Sequence, residues 1–274
     1  MSSATAATHD FAATDAAWQR EQTRQRWRRR LLPLAGGGVL LLVWWLLIAV
    51  FGVRPFIAPS PVVVAQTLVA DWQKLLVNLV PTAIESLAGF ALGNIAALAI
   101  AVAFVHNRTS EGMFYPVAVL INAIPVVAKA PILLLLLGNG LEPKIAIAAL
   151  ICFFPTLVNM VKGLQAVSPQ AMELMHVLSA SRAEVFWKLR LYASLPFLFS
   201  ALRISASTAV IGAIVGEWIG SQVGIGALIV QATYNFDSAL LYATVVVGSL
   251  FSVAFFMAVD VAERLVIRWQ PASA

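Results

Sequence analysis

Six stretches of mostly apolar residues, each long enough to cross a bilayer as a helix, divide this chain. They cover roughly 31–51, 81–105, 113–137, 144–162, 194–219 and 239–262. About 20 apolar residues span the hydrocarbon core of a membrane as an α-helix. In lipid every backbone N–H and C=O needs an internal partner, so such segments fold as helices rather than open strands. With 61% hydrophobic and 11% charged residues over 274 positions, the chain holds more apolar surface than a water-soluble fold of this size can bury. The pattern predicts an all-α membrane protein of six transmembrane helices.

The segments around these spans have distinct characters. Residues 1–30 read as a cytoplasmic basic tail, rich in Ala, Thr and Ser and expected to be disordered, ending in Arg20, Arg24, Arg26, Arg28, Arg29 and Arg30. The run 31–51 follows at once. It is long for the apolar part of a signal peptide and no small-x-small cleavage site closes it, so it reads as a retained first transmembrane helix. Residues 52–80 form an external segment in which Gln66, Asp71, Gln73, Lys74 and Asn78 are too polar to span comfortably. Val64, Leu68, Trp72, Leu75, Leu76 and Leu79 recur there at helical spacing, which predicts an amphipathic helix at the interface or against the bundle. Residues 81–268 form the core membrane domain, with a large loop at 163–193, and 269–274 a short tail.

Orientation follows from the distribution of lysine and arginine. With the N-terminus inside, the inner segments carry thirteen basic residues: the six arginines of the tail with Arg108, Lys162, Arg182, Lys188, Arg190, Arg264 and Arg268. The outer segments carry three, Arg54, Lys74 and Lys144. This bias places both termini and the 163–193 loop in the cytoplasm. The net charge of +5 is no nucleic-acid signal, because the basic residues flank apolar spans and form no stripe interleaved with aromatics. Cys152, the single cysteine, sits in an apolar run and can form no intrachain disulfide.

The cytoplasmic loop is built to be stiff. Ser168-Pro169 reads as an N-cap followed by proline at the first helical position. Ser181 and Glu184 have the spacing of a capping box. Two short helices, about 169–178 and 182–192, are expected to meet at Ser179-Ala180, making a docking element. No phosphate-binding glycine-rich loop occurs, so the chain is expected not to hydrolyse nucleotide itself.

The loop and its flanks resemble the permease subunits of ABC importers, in the branch that handles nitrate, taurine, alkanesulfonates and thiamine or riboflavin precursors. The family motif is a cytoplasmic E-A-A-x-x-x-G followed by I-x-L-P. Here Glu173 matches the acid, Leu174 and Met175 replace the alanines, His176 follows, and Ser179 stands where glycine belongs. Ala180, Ser181 and Arg182 continue as the branch does, and Leu195-Pro196 closes the motif. Further similar segments, in order, are APSP from Ala58, ESLAGFALG from Glu85, NAIPVVAKAPILLLLLGNG from Asn122 and GEWIGSQVGIGALI from Gly216.

The resemblance implies a type I importer permease fold in the bacterial inner membrane, with the Glu173 to Ser181 helix seated in a cleft of a cytoplasmic ATPase dimer. ATP and Mg would be held by that partner, with no cofactor or metal on this chain. It also implies an external or periplasmic solute-binding protein, contacting Gly138 to Glu142 and Gly220 to Asp237, and a second permease copy forming a homodimer. A serine at 179 in the left-handed conformation of the motif glycine would cost about 1 kcal/mol.

Several ionisable groups fall inside spans: Glu85, Lys129, Arg203, Glu217 and Asp260. Each costs about 2.5–3.5 kcal/mol at a helix centre unless partnered or wet. Lys129, between Pro125 and Pro131, sits where the prolines should bend the span. It could offer charge to an anionic substrate, or form a structural ion pair with Glu85 or Glu217. These three are the candidate substrate-pathway residues. Arg203 is expected to snorkel to the cytoplasmic edge and Asp260 to reach headgroups. Gly212, Gly216 and Gly220 suit either a subunit interface or a tight crossing within the chain. The competing class is an ion-coupled secondary transporter or channel, which needs an ion site on broken helices; Lys129 with its prolines is the one feature of that kind.

Overall fold

The structure, a computed structural model, describes residues 31–32 and 35–267. The basic tail expected over 1–30, and Arg268 with the last residues, lie outside the described ones. The chain divides into two units, Met1–Ala65 and Gln66–Ala274. In the first, α1 (Ala35–Phe51) is an apolar helix most of whose large side chains stand exposed. It ends at Gly52, whose φ of 59° lets the Val53 amide turn back onto the Ile48 carbonyl. Helix α2 (Pro61–Ala70) then opens with proline at its first position behind Ser60.

Among the described residues, four helices are long and apolar enough to cross a membrane, and a bent pair makes a fifth candidate. The first of the four, α3 (Trp72–His106), runs 35 residues and carries Pro81 inside it. This corrects the sequence expectation, because the amphipathic stretch expected to continue to Leu79 stops at Asp71. Beyond Asp71 it forms the opening turns of the spanning helix itself. The expected span 113–137 is also divided. Helices α4 (Arg108–Ala123) and α5 (Val126–Leu137) meet at 99°. Ile124 precedes Pro125 and is extended (φ −67°, ψ 125°), as a residue before proline prefers, and this ends α4.

Helix α6 (Glu142–Gln165) is the hub of this unit, packed between α3 and α9 (Leu191–Glu217). Small residues permit the approach. A methyl group at Gly212 of α9 would lie 2.8 Å from the Ala148 Cα, and one at Gly216 3.1 Å from the Lys144 Cα. Gly89 and Gly93 of α3 meet Ala148 and Ala149 from the other side. The glycine series therefore serves a crossing within the chain; Gly220 lies beyond the helix in the turn (φ 92°). Ala97, Ala101, Phe104, Leu157, Met160 and Leu164 fill the core farther along.

Helix α7 (Pro169–Val177) stands in the loop after α6. Helix α8 (Arg182–Val185) continues through a π-helical turn, Phe186–Arg190, directly into α9. The second loop helix expected at 182–192 is thus the start of a 36-residue rod from Arg182 to Glu217. Helix α10 (Ile225–Tyr234) buries Ile225, Ala227 and Leu228, and α11 (Ser238–Val266) completes the unit.

Candidate functional site

The loop geometry is fixed by local hydrogen bonds. The Ser168 hydroxyl accepts the Ala171 amide at 3.3 Å and starts α7. At its other end Ser179 adopts φ 50°, with its amide on the His176 carbonyl at 2.9 Å. The Ala180 amide reaches the Met175 carbonyl at 3.0 Å. Together these bonds make a Schellman end, so serine holds the left-handed position that glycine would fill without strain. Ser181 then begins the next helix: its hydroxyl accepts the Glu184 amide at 3.3 Å while Glu184 Oε2 accepts the Ser181 amide at 3.0 Å. Glu184 also binds Lys188 at 2.9 Å. The Ser181 amide above all, then Lys188, holds the Glu184 carboxyl down at about 2.

The outward face of α7 is bare. Glu173, Leu174 and His176 are exposed, and so are Val177 (79%), Leu178 (65%), Ser179, Ser181 and Arg182. Met175 and Ala180 are half-buried. Leu195 and Pro196 lie in the second turn of α9, half-buried, with Leu195 packed against the apolar cluster that includes Phe199 and Val259. The motif residues thus sit in two places, an exposed helix and the root of a long rod.

At the opposite ends of α3, α6 and α9 lies a buried polar cluster. Glu217 Oε1 accepts the Thr82 hydroxyl at 2.6 Å, and its Oε2 accepts the Gly226 amide at 2.5 Å. The Ile225 amide donates to the Thr82 oxygen at 2.8 Å, and the Gly224 amide to Asn78 Oδ1 at 2.9 Å. Glu85, wholly buried one turn beyond Thr82, faces the Lys144 ammonium at 3.4 Å, yet neither carboxyl oxygen finds a hydrogen bond. Lys144 donates to the Ser221 hydroxyl at 2.9 Å. The cluster straps the turn between α9 and α10 to the heads of α3 and α6.

This overturns one expectation. The cation beside Glu85 is Lys144, which the charge tally had placed in an outer loop; it is only 5% exposed. The register explains it. Gly89 packs on Ala148, and α3 and α6 run parallel there, so one turn earlier Glu85 meets Lys144. Lys129 on α5 is half-buried and pairs with no carboxylate among the described residues. The snorkelling expected of Arg203 is likewise replaced by pairing: Arg203 contacts Asp260 and Glu263 of α11 at 3.1 Å each, and Arg264 also holds Asp260, at 2.8 Å. Thr156, Asn94 and Ser205 form a second buried polar layer across α3, α6 and α9 that the residue patterns did not flag.

Comparison with known proteins agrees with this architecture. The chain is 30% identical over 218 residues to a formylaminopyrimidine transport permease, ThiX, of Halalkalibacterium halodurans, covering 79% of this chain and 87% of that protein. It is 34% identical to the riboflavin transport system permease RibX of Chloroflexus aurantiacus, over 80% of this chain and 82% of the relative. In fold it resembles a chain of the MetNI methionine ABC transporter in inward-facing conformations. The TM-score is 0.59 and the identity 19%, over 70% of this chain and 96% of that one. Such permeases are membrane transport components rather than enzymes. Residues 89–270 match the family of binding-protein-dependent transport system inner membrane components, and the chain belongs to that family of ABC importer permeases.

Proposed function

We propose that this chain is the translocating subunit of an ATP-driven importer in which α7 is the coupling helix. The observation that carries this reading is the exposed Glu173 to Leu178 face, held between a Schellman end at Ser179 and the capping box that opens the Arg182–Glu217 rod. A cytoplasmic ATPase dimer gripping α7 would move that rod directly, because no flexible segment lies between them to absorb the displacement. Both termini and the loop lie in the cytoplasm in this reading, as the basic residues require. Two chains pair as a homodimer, giving one docking helix to each ATPase.

An external binding protein delivers the cargo, a small heterocyclic vitamin precursor of the pyrimidine or flavin kind in preference to a sulfonate or nitrate-like oxyanion. The names of the two relatives above support that class. Lys129 on α5, just past the bend from α4, is assigned to the pathway, while Glu85 and Glu217 act on it by pinning the turn before α10.

Cross-linking tests the coupling. Cys152 is buried and is the sole cysteine of this chain, so Val177→Cys gives each copy one exposed thiol when the variant is assembled in the full transporter. It should cross-link to the ATPase subunit, in a yield that changes when ATP is added. Uptake that persists without ATP and follows an ion gradient would overturn the assignment. Mass spectrometry of what the cognate binding protein retains tests the cargo class.

A further inference from the structure

A pocket of about 340 Å³ lies behind the loop, between the end of α3 and the start of α8, on the side of α7 away from its exposed face. His106, Arg108, Arg182 and Arg190 line it, with Met172 and Phe186 as apolar wall. The three guanidiniums are charged at any relevant pH, yet no carboxylate lines the pocket and none pairs with them among the described residues. The acids of this region are otherwise engaged or turned outward. Glu111 binds Gln165, Glu184 binds Ser181 and Lys188, and Glu173 lies on the exposed face. His106 Nδ1 donates to the Val102 carbonyl at 2.8 Å, and its ring lies against Phe186. Three like charges gathered without a counter-charge make an anion site.

We propose that this pocket binds a phosphate-ester anion, and that the anion is the headgroup phosphate of an acidic phospholipid lodged between the membrane and the coupling loop. The surroundings favour a lipid over a soluble phosphate. His106 ends a spanning helix, and Trp187 (62% exposed), its ring centroid 5.3 Å from that of Phe186 in the pocket wall, stands as aromatic residues do at the lipid headgroup level. A headgroup there would wedge between α3 and the base of the rod, so the lipid composition would set how stiffly α7 is held. The placement on the cytoplasmic side rests on the proposed orientation. The binding itself does not require transport, so a failure of lipid binding and a failure of the importer assignment are separable.

The test is native mass spectrometry of the full chain in nanodiscs of phosphatidylcholine with and without phosphatidylglycerol, with inorganic phosphate as a competing probe. The wild-type chain should retain phosphatidylglycerol in preference to phosphatidylcholine. The double variant Arg108→Gln/Arg190→Gln should lose that preference by roughly 30-fold. Lys162→Gln, another basic residue of the same inner side, should leave it unchanged. Arg190→Lys, which keeps the charge and loses the planar fork, gives a milder partial loss should the double variant fold poorly. Displacement by millimolar phosphate with no residual lipid preference would assign the site to a soluble phosphate anion and overturn the lipid source. Equal retention of both lipids together with no phosphate binding, or full retention by the double variant, would overturn the site altogether.

Discussion

The Thr82 hydroxyl donates to Glu217 across 2.6 Å, although 135 residues separate them in the chain. The same oxygen receives the Ile225 amide, so one threonine bridges the head of α3, the tail of α9 and the first residue of α10. Glu217 therefore serves as an acceptor for groups that lipid could not satisfy, which is what justifies a carboxylate at the end of an apolar helix.

Removing that acceptor should be costly. Glu217→Ala leaves the Gly226 amide without its acceptor in a buried site and Thr82 with only the Asn78 carbonyl, at 3.2 Å, for a loss of about 3 kcal/mol. Thr82→Val should cost less, about 1–2 kcal/mol, since Glu217 keeps its bond to Gly226. Thermal unfolding of the detergent-solubilised chain measures both, and a Glu217→Ala protein as stable as wild type would remove the strap from the account.

The glycines on α3 and α4 should respond according to what faces them. Gly93→Ala drives a methyl into the backbone at Ala149 and should lower stability by at least about 2 kcal/mol. Gly112 on α4 has nothing within 4 Å of an added Cβ, so Gly112→Ala should gain about 0.5–1 kcal/mol through helix propensity alone. Comparing the two melting temperatures separates packing from propensity.

The loop turn gives a prediction of opposite sign from ordinary mutagenesis. Ser179→Gly relieves a left-handed serine and should stabilise the α7 end by about 0.5–1 kcal/mol with the Schellman bonds intact. Ser179→Val, β-branched at φ 50°, should destabilise it. Limited proteolysis between Val177 and Arg182 reads this locally, and faster cleavage of the glycine variant would contradict it.

Much of this loop was legible in the sequence, because helix ends are local. Ser168 with Pro169, and Ser181 with Glu184, are signals carried within four residues, and the structure places the helix starts where they point. Spans were legible for the same reason, through runs of apolar residues. What was not legible is who meets whom. Lys144 reads as an outer-loop cation until α6 is packed on α3, and Arg203 reads as a snorkelling side chain until α11 lies beside it. The bend of the span 113–137 was legible in Pro125, as expected, whereas its sharpness of 99° was not. Pairings between distant segments depend on helix register, which no single stretch of residues states.

Acid should leave the loop intact over the range in which cells work. Glu184 has its folded value depressed to about 2 from an ordinary carboxyl near 4.3. A depressed carboxyl contributes its stability above the unfolded value and loses it as pH falls through the folded one. The capping box should thus hold unchanged from pH 7 to about pH 5 and weaken only below about 4, towards 2. Glu184→Gln should abolish that acid-dependent component. Proteolytic protection of the loop against pH measures it, and loss of protection in the wild type between pH 7 and 5 would contradict the assignment.

Lys144 and Glu85 provide the sharpest test of the buried cluster, because the charge and the space it occupies can be separated. Lys144→Met leaves Glu85 buried with no cation beside it and should cost about 3–5 kcal/mol. Glu85→Gln in the same background removes the stranded charge while keeping the side-chain volume, so the double variant should recover most of that loss. The coupling between the two substitutions should exceed about 1 kcal/mol, as contacting residues show and distant ones do not. Lys129→Met, on a helix where no carboxylate pairs with the ammonium, should leave stability within about 0.5 kcal/mol and show its effect in uptake instead. A cycle in which Lys129 couples to Glu85 as strongly as Lys144 does would place the wrong lysine in the cluster, and with it the register of α6 on α3.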